Sequence, residues 1–181
     1  SVDEERFPVI AVDGGEVVLE DVWVENGSGH GIAVINGGKA AMQSVRVIKS
    51  GWDGLAVYGE GSKVTIIESR FDQNLHHGVD AWNGGSVTVR KSRFSNNGLA
   101  GVVLMSVGVL SRVETSVSEG NRELGILVAQ QTSAELVGNE VIGNLLGGIV
   151  VKDAKTRVEI ANNTVTRNKK AGIMVDRNAS R

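Results

Sequence analysis

The chain has 181 residues, 22% of them charged and 41% hydrophobic, with a net charge of −2 and no cysteine. That length sets one ordinary domain or a short repeat array, and the near-neutral charge gives no electrostatic footprint for nucleic acid or an anionic membrane. The absence of cysteine excludes a disulfide framework and a thiolate nucleophile, the 29 Val and 11 Ile exclude disorder, and no apolar run approaches the roughly 20 residues of a spanning helix.

Residues 1–7 read as a charged tail without a signal peptide, residues 8–176 as one periodic unit and residues 177–181 as a second tail; the compartment stays unassigned. The first copy of the unit is Pro8-Val9-Ile10-Ala11. Six intervals of 23 or 24 residues then separate Gly31-Ile32-Ala33-Val34, Gly54-Leu55-Ala56-Val57, Gly78-Val79-Asp80-Ala81, Gly101-Val102-Val103-Leu104, Gly125-Ile126-Leu127-Val128, Gly148-Ile149-Val150-Val151 and Gly172-Ile173-Met174-Val175. Asn26, Ser50, Asn74, Asn97, Asn121, Asn144 and Asn168 keep the same period as a second column. Between the columns lie short alternating runs, such as Val64-Thr65-Ile66 and Val87-Thr88-Val89, with the period of a half-buried strand. Asp13-Gly14-Gly15, Asn36-Gly37-Gly38, Gly59-Glu60-Gly61 and Asn83-Gly84-Gly85 supply corners that tolerate positive φ.

Leucine-rich repeats share this period but need Leu at most core positions, whereas Val plus Ile number 40 against 11 Leu. Nor is there a sustained 3.6-residue stripe for a helical return arm. The pattern predicts an all-β, single-stranded, right-handed parallel β-helix of about seven coils of 23 or 24 residues. Ile32, Leu55, Val79, Val102, Ile126, Ile149 and Ile173 then form one buried column, and Val34, Val57, Ala81, Leu104, Val128, Val151 and Val175 a second. Val24, Val47, Phe71, Phe94, Val141 and Val165 form a third. In the fifth coil Val113 to Ser118 fits two registers, one of which buries Arg112, so a bulge is expected there. The Asn column is expected to accommodate left-handed corners and to bond from coil to coil.

These repeats, from Pro8 to Val175, resemble the parallel β-helix repeats of pectate-lyase-like proteins, and most closely the class of carbohydrate-binding and sugar-hydrolase domains. The resemblance implies the fold above and a range of activities: polysaccharide lyases, glycoside hydrolases, mannuronan epimerases, phage tailspikes and noncatalytic interaction modules. The acidic calcium-binding group and Lys or Arg base that lyases of this fold carry have no counterpart in neighbouring coils here. The Asp-Pro-His-Glu signature of the epimerases is also missing.

If Ile32 and Val34 point inward, the alternate positions point outward: Ile10, Val12, Ala33, Ile35, Ala56, Tyr58, Asp80, Trp82, Val103, Met105, Leu127, Ala129, Val150 and Met174. A solvated strand face alternates to polar residues, and this one mostly does not. It is read either as covered by a loop, a terminal segment or another copy, or as a contact surface. All three histidines, the only tyrosine and two of the three tryptophans gather beside it as His30, Trp52, Tyr58, His76, His77 and Trp82, together with Asp53 and Asp80. His30, Asp53 and His77 each precede the repeat glycine and should stack as a His, Asp, His ladder. Such a ladder is a satisfied polar stack, a saccharide or peptide contact, or an acid/base group with His77, His30, Asp53 and Asp80 as catalytic candidates. Neither zinc nor calcium finds a complete ligand set, so no metal or cofactor is expected. Tyr58, Trp52 and Trp82 offer flat apolar faces, with His76, His77 and Asp80 to bond hydroxyls. Trp23 is assigned to packing.

Neither end shows a capping helix, so the unit is expected to belong to a larger protein or to self-associate end to end or face to face. The expectation is a noncatalytic binding or scaffold module that presents its apolar and aromatic face to a polysaccharide or a protein partner. The alternative is a carbohydrate-active enzyme, a lyase, epimerase or glycoside hydrolase, using the His/Asp cluster.

Overall fold

Valine-rich strands too short to stand alone gain stability only by stacking, and this chain stacks them in three directions. The computed structural model describes residues 7–107 and 109–176. Three parallel sheets of eight, seven and seven strands wind as a solenoid, and no helix occurs among the described residues. The first sheet runs from Ile10–Asp13 through Ile32–Ile35, Leu55–Tyr58, Val79–Trp82, Val102–Met105, Leu124–Ala129 and Gly147–Lys152 to Ala171–Asp176. Each of the seven coils then contributes one strand of four or five residues to the second sheet and one of three residues to the third. The tail positions 1–6 and 177–181 lie outside the described residues.

The sequence columns become physical stacks. Ile32 registers on Leu55, Leu55 on Val79, Val79 on Val102, and so on to Ile173. The column from Val34 to Val151 and the column through Phe71 and Phe94 lie beside it inside the coil; Ile173 and Val175, expected to be buried, keep the register but are 50% and 65% exposed, because no described coil stacks on theirs. The two Phe rings stack at 5.5 Å with 12° between their planes. The repeat glycines are needed because the next coil presses on them. A Cβ at Gly78 would meet Gly101 O at 2.6 Å and Asn97 Nδ2 at 3.0 Å.

Several expectations are corrected. The first coil is offset by one residue: Ile10 pairs with Ile32 and Val12 with Val34, so both point inward, and Val12 belongs to the core. Ala11 and Asp13 take the outward places, and Val9, not Pro8, aligns with Gly31. The cause is a shorter corner. Two residues, Gly14 and Gly15, separate Asp13 from Glu16, where the next coil has Asn36, Gly37 and Gly38.

Asn26 is likewise one place out of the Asn column. It pairs with Lys49, and Gly27 stands opposite Ser50. The left-handed corner residue is the one before each ladder position: Asn26, Lys49, Gln73, Asn96, Gly120, Gly143 and Arg167, with φ between 55° and 64°. The ladder asparagines themselves are not left-handed.

No bulge forms at Arg112. Thr88, Val89 and Arg90 register continuously on Arg112, Val113 and Glu114, and Ser111 to Glu114 on Ala134 to Val137. Ser111 and Val113 point inward while Arg112 faces solvent and bonds Glu135 at 2.7 Å. Ser118 then takes the third-column place between Phe94 and Val141, its hydroxyl donating to Gly125 O.

Trp23 is 62% exposed rather than packed. It lies on the outer face of the third sheet with the Arg46 guanidinium 5.9 Å from its ring.

The buried Asn side chains are the main inter-coil connectors at this corner. In Asn74, Asn97, Asn121 and Asn144 the Nδ2 group donates to the Oδ1 of the next coil's Asn, which also accepts the backbone N–H. The same Nδ2 reaches back to a carbonyl of the previous coil, as from Asn97 to Phe71 O. A second ladder, absent from the sequence reading, runs at the corner between the second and third sheets: Val45 N–H to Ser69 Oγ, then Ser69 to Ser92, Ser92 to Ser116, Ser116 to Asn139 and Asn139 to Asn163.

Ser50 ends the first ladder with a buried hydroxyl that has no partner. Asn121→Ala leaves the buried N–H and amide of Asn97 without their acceptor, and urea unfolding should register a loss of about 3 kcal/mol or more. Ser50→Asn extends the ladder toward Gly27 N–H and Val24 O, and the same measurement should show a gain of about 1 kcal/mol.

Candidate functional site

The coil corner preceding the first sheet sets the site. Gly31, Gly54 and Gly78 donate their N–H groups to the carbonyls of Asp53, His77 and Ala100, which holds His30, Asp53, His77 and Ala100 in one column. The expected His, Asp, His ladder therefore exists. Asp53 is buried and accepts the His77 backbone N–H on Oδ1 at 2.9 Å, while its Oδ2 lies 3.2 Å from His30 Nδ1. That approach lies off the hydrogen-bonding axis, so His30 Nδ1 has no hydrogen-bond partner despite its short distance. His77 Nδ1 accepts the Ala100 N–H at 3.1 Å.

The residues one place earlier form an aromatic wall. Trp52 and His76 rings sit 4.3 Å apart, and His30 meets Trp52 edge-on at 5.9 Å. The floor is the outward face of the first sheet. There Asp80 registers between Ala56 and Val103, both buried, and Trp82 between Tyr58 and Met105. Tyr58 and Trp82 pair at 5.2 Å with a 49° tilt. Folding thus brings the predicted residues into three adjoining groups: His30 with Trp52 and His76, Asp53 with His77 and Asp80, and Tyr58 with Trp82. Further along the same face an open groove of about 870 Å³ runs past Met105, Leu127, Ala129, Gln130 and Lys152.

Asp80 is the strained member. Its Oδ1 is buried without a hydrogen-bond partner. Burial, and then the Asp53 carboxylate, raise its pKa from 3.8 to about 7. Burial also lowers the His77 pKa; Asp53 and Glu123 oppose that shift and His76 adds to it. His77 is accordingly a neutral ring, and its bond from Ala100 assigns the remaining proton to Nε2.

One ligand atom each from Asp53, His77 and Asp80 falls within 4.8 Å of the others. With the lone pair of His77 engaged by Ala100, that set reduces to two carboxylates, fewer than the three or more protein ligands of a zinc site or the six to eight oxygens of calcium.

Residues 9–181 match the family described as right handed beta helix region. The chain belongs to that family. No curated protein and no solved structure matches it. A right-handed β-helix of this kind supports a scaffold, a binding module or an enzyme-like module, so the choice rests on the face just described.

The Asp80 shift has a stability consequence. Between about pH 4 and pH 7 the native state holds a proton that the unfolded chain has released, so this group's contribution to stability falls as pH rises through that window. Asp80→Asn removes the effect. Chemical denaturation across pH should show little difference from the parent near pH 4 and a gain of up to about 4 kcal/mol above pH 8. The His77 shift runs the other way, destabilising as pH falls, and is common to both proteins.

Proposed function

We propose that the protein is a noncatalytic binding module that holds a polysaccharide along the outward face of the first sheet. The observation that carries this reading is the Tyr58 and Trp82 pair, side by side on the outward side of the first sheet two residues along from Asp80, with Tyr58 exposed and Trp82 partly so where Ala56 and Val103 are buried. Aromatic faces receive the apolar faces of sugar rings, and the adjacent carboxylate and imidazoles bond the hydroxyls. The face continues through Met105, Leu127 and Ala129 to the polar groups Gln130, Gln131 and Lys152, a surface long enough for several sugar units. A protein partner on the same apolar strip is the other occupant compatible with this surface.

A second reading has its own support. Asp53 and Asp80 bring carboxylate oxygens within 4.8 Å of each other, and Asp80 is poised near neutrality. Two carboxyl groups in one site, one of which keeps its proton toward neutral pH, can serve acid/base chemistry on a glycosidic bond. Glycan-array binding and product release separate the two. Binding without turnover, weakened about 30-fold by Trp82→Ala as expected for loss of a ~2 kcal/mol aromatic anchor, supports the module. Released oligosaccharide that disappears in Asp80→Asn while binding persists establishes the enzyme. A protein that binds no glycan, or whose binding ignores Trp82→Ala, overturns the saccharide face.

A further inference from the structure

Resting on that reading, we propose that the saccharide seated beside Asp80 is an amino sugar, bound through its protonated amine. The argument begins with what the site lacks. Three carboxylates bear on it: Asp53 and Asp80 face each other, and Glu123 acts on His77. Among the described residues none of the three forms an ion pair with a lysine or arginine; Asp53 has only His30. His77 is neutral and adds no compensating charge. The site therefore holds an excess of negative potential in a partly desolvated setting, where a charge interaction is stronger than in water.

The hydrogen-bond inventory points the same way. Once ionised, Asp80 is an acceptor that receives no hydrogen bond among the described residues; its Oδ1 is buried, so a ligand can reach only its other oxygen, and Asp53 already receives the His77 N–H. A ligand that completes the site must donate, and the neighbouring carboxylates favour a donor with positive charge. A sugar hydroxyl donates without charge. A uronate brings a further carboxylate against Asp80 and Asp53, which costs free energy rather than supplying it. A bare metal ion finds too few ligands, because the His77 lone pair is taken by Ala100. An ammonium group answers both demands, and the Trp82 and Tyr58 ring faces beside Asp80 attract a cation in addition.

Calorimetric titration of the intact chain with a β-1,4-linked glucosamine hexamer, its fully N-acetylated counterpart and a galacturonate hexamer tests this. The glucosamine oligomer should bind at least about tenfold more tightly than the acetylated one, the lower end of what a charge-assisted bond contributes. Galacturonate should not bind. Asp80→Asn, which relieves a like-charge contact and so keeps the fold, should bring the glucosamine oligomer to the level of the acetylated one. Added salt should narrow the preference in the parent alone.

Equal affinity for the free-amine and acetylated oligomers, both lost in Trp82→Ala, overturns the amine inference and leaves the saccharide face standing. A preference that survives Asp80→Asn also overturns it. Binding of none of the three, or of galacturonate alone, overturns it as well, the former together with the saccharide reading for these sugars.

Discussion

Each coil is held to the next by a side-chain oxygen that accepts a backbone N–H from the corner below. In the Asn ladder that oxygen also accepts the amide of the Asn beneath it, so Asn97, Asn121 and Asn144 are donor to one neighbour and acceptor to the other. The arrangement matters because the residue just before each ladder position has left-handed backbone, at a cost of about 1–2 kcal/mol for a non-glycine residue. Lys49, Gln73 and Arg167 carry that cost without a glycine's freedom. Satisfied buried amides, repeated at the same height in every coil, offset it and fix the register. With the register fixed, like-numbered side chains meet, and core columns and outward faces follow.

The candidate site uses the same device for a different result. In the column before the repeat glycine, most of the chain places small or apolar residues such as Ala100, Leu124 and Ala171. Only His30, Asp53 and His77 bring chemistry there, and the stacking rise of about 4.8 Å forces them against one another and against Asp80 on the sheet face. A carboxylate placed this way cannot choose its distance from its neighbour. The rigidity that the ladder gives the backbone is what holds Asp80 at a pKa near 7 and leaves its oxygen unfilled. A more compliant loop would relax away from that arrangement.

Where the sequence reading slipped, the reason was local. A period read from Gly and Asn columns tracks the average coil; one missing corner residue at Gly14 moved Val9, Ile10 and Val12 by one place, and Asn26 missed the ladder separately because it stands five residues before its repeat glycine, where Asn74 and Asn97 stand four before theirs. Alternation turns a one-residue slip into a change of face, which is why Ile10 and Val12 went from surface to core. The Ser69, Ser92, Ser116 ladder escaped notice because serine is common and its column changes to Asn139 and Asn163 midway. Arg112 stayed outside because a serine, Ser111, was acceptable at the inward place, an option that a search for apolar alternation passes over.

Spacing and composition alone specify the solenoid, its period and the columns from Ile32 and Val34 onward, because stacked coils bury valines that recur at one interval. They also place His30, Asp53 and His77 in one stack, since equal spacing means superposition once coils wind in register. How those groups face one another emerges on folding: Asp53 Oδ1 serves His77, the His77 lone pair is taken by the Ala100 N–H, and Asp80 Oδ1 is left without a partner. These depend on side-chain direction and desolvation across three coils, and no pattern along a single coil encodes them.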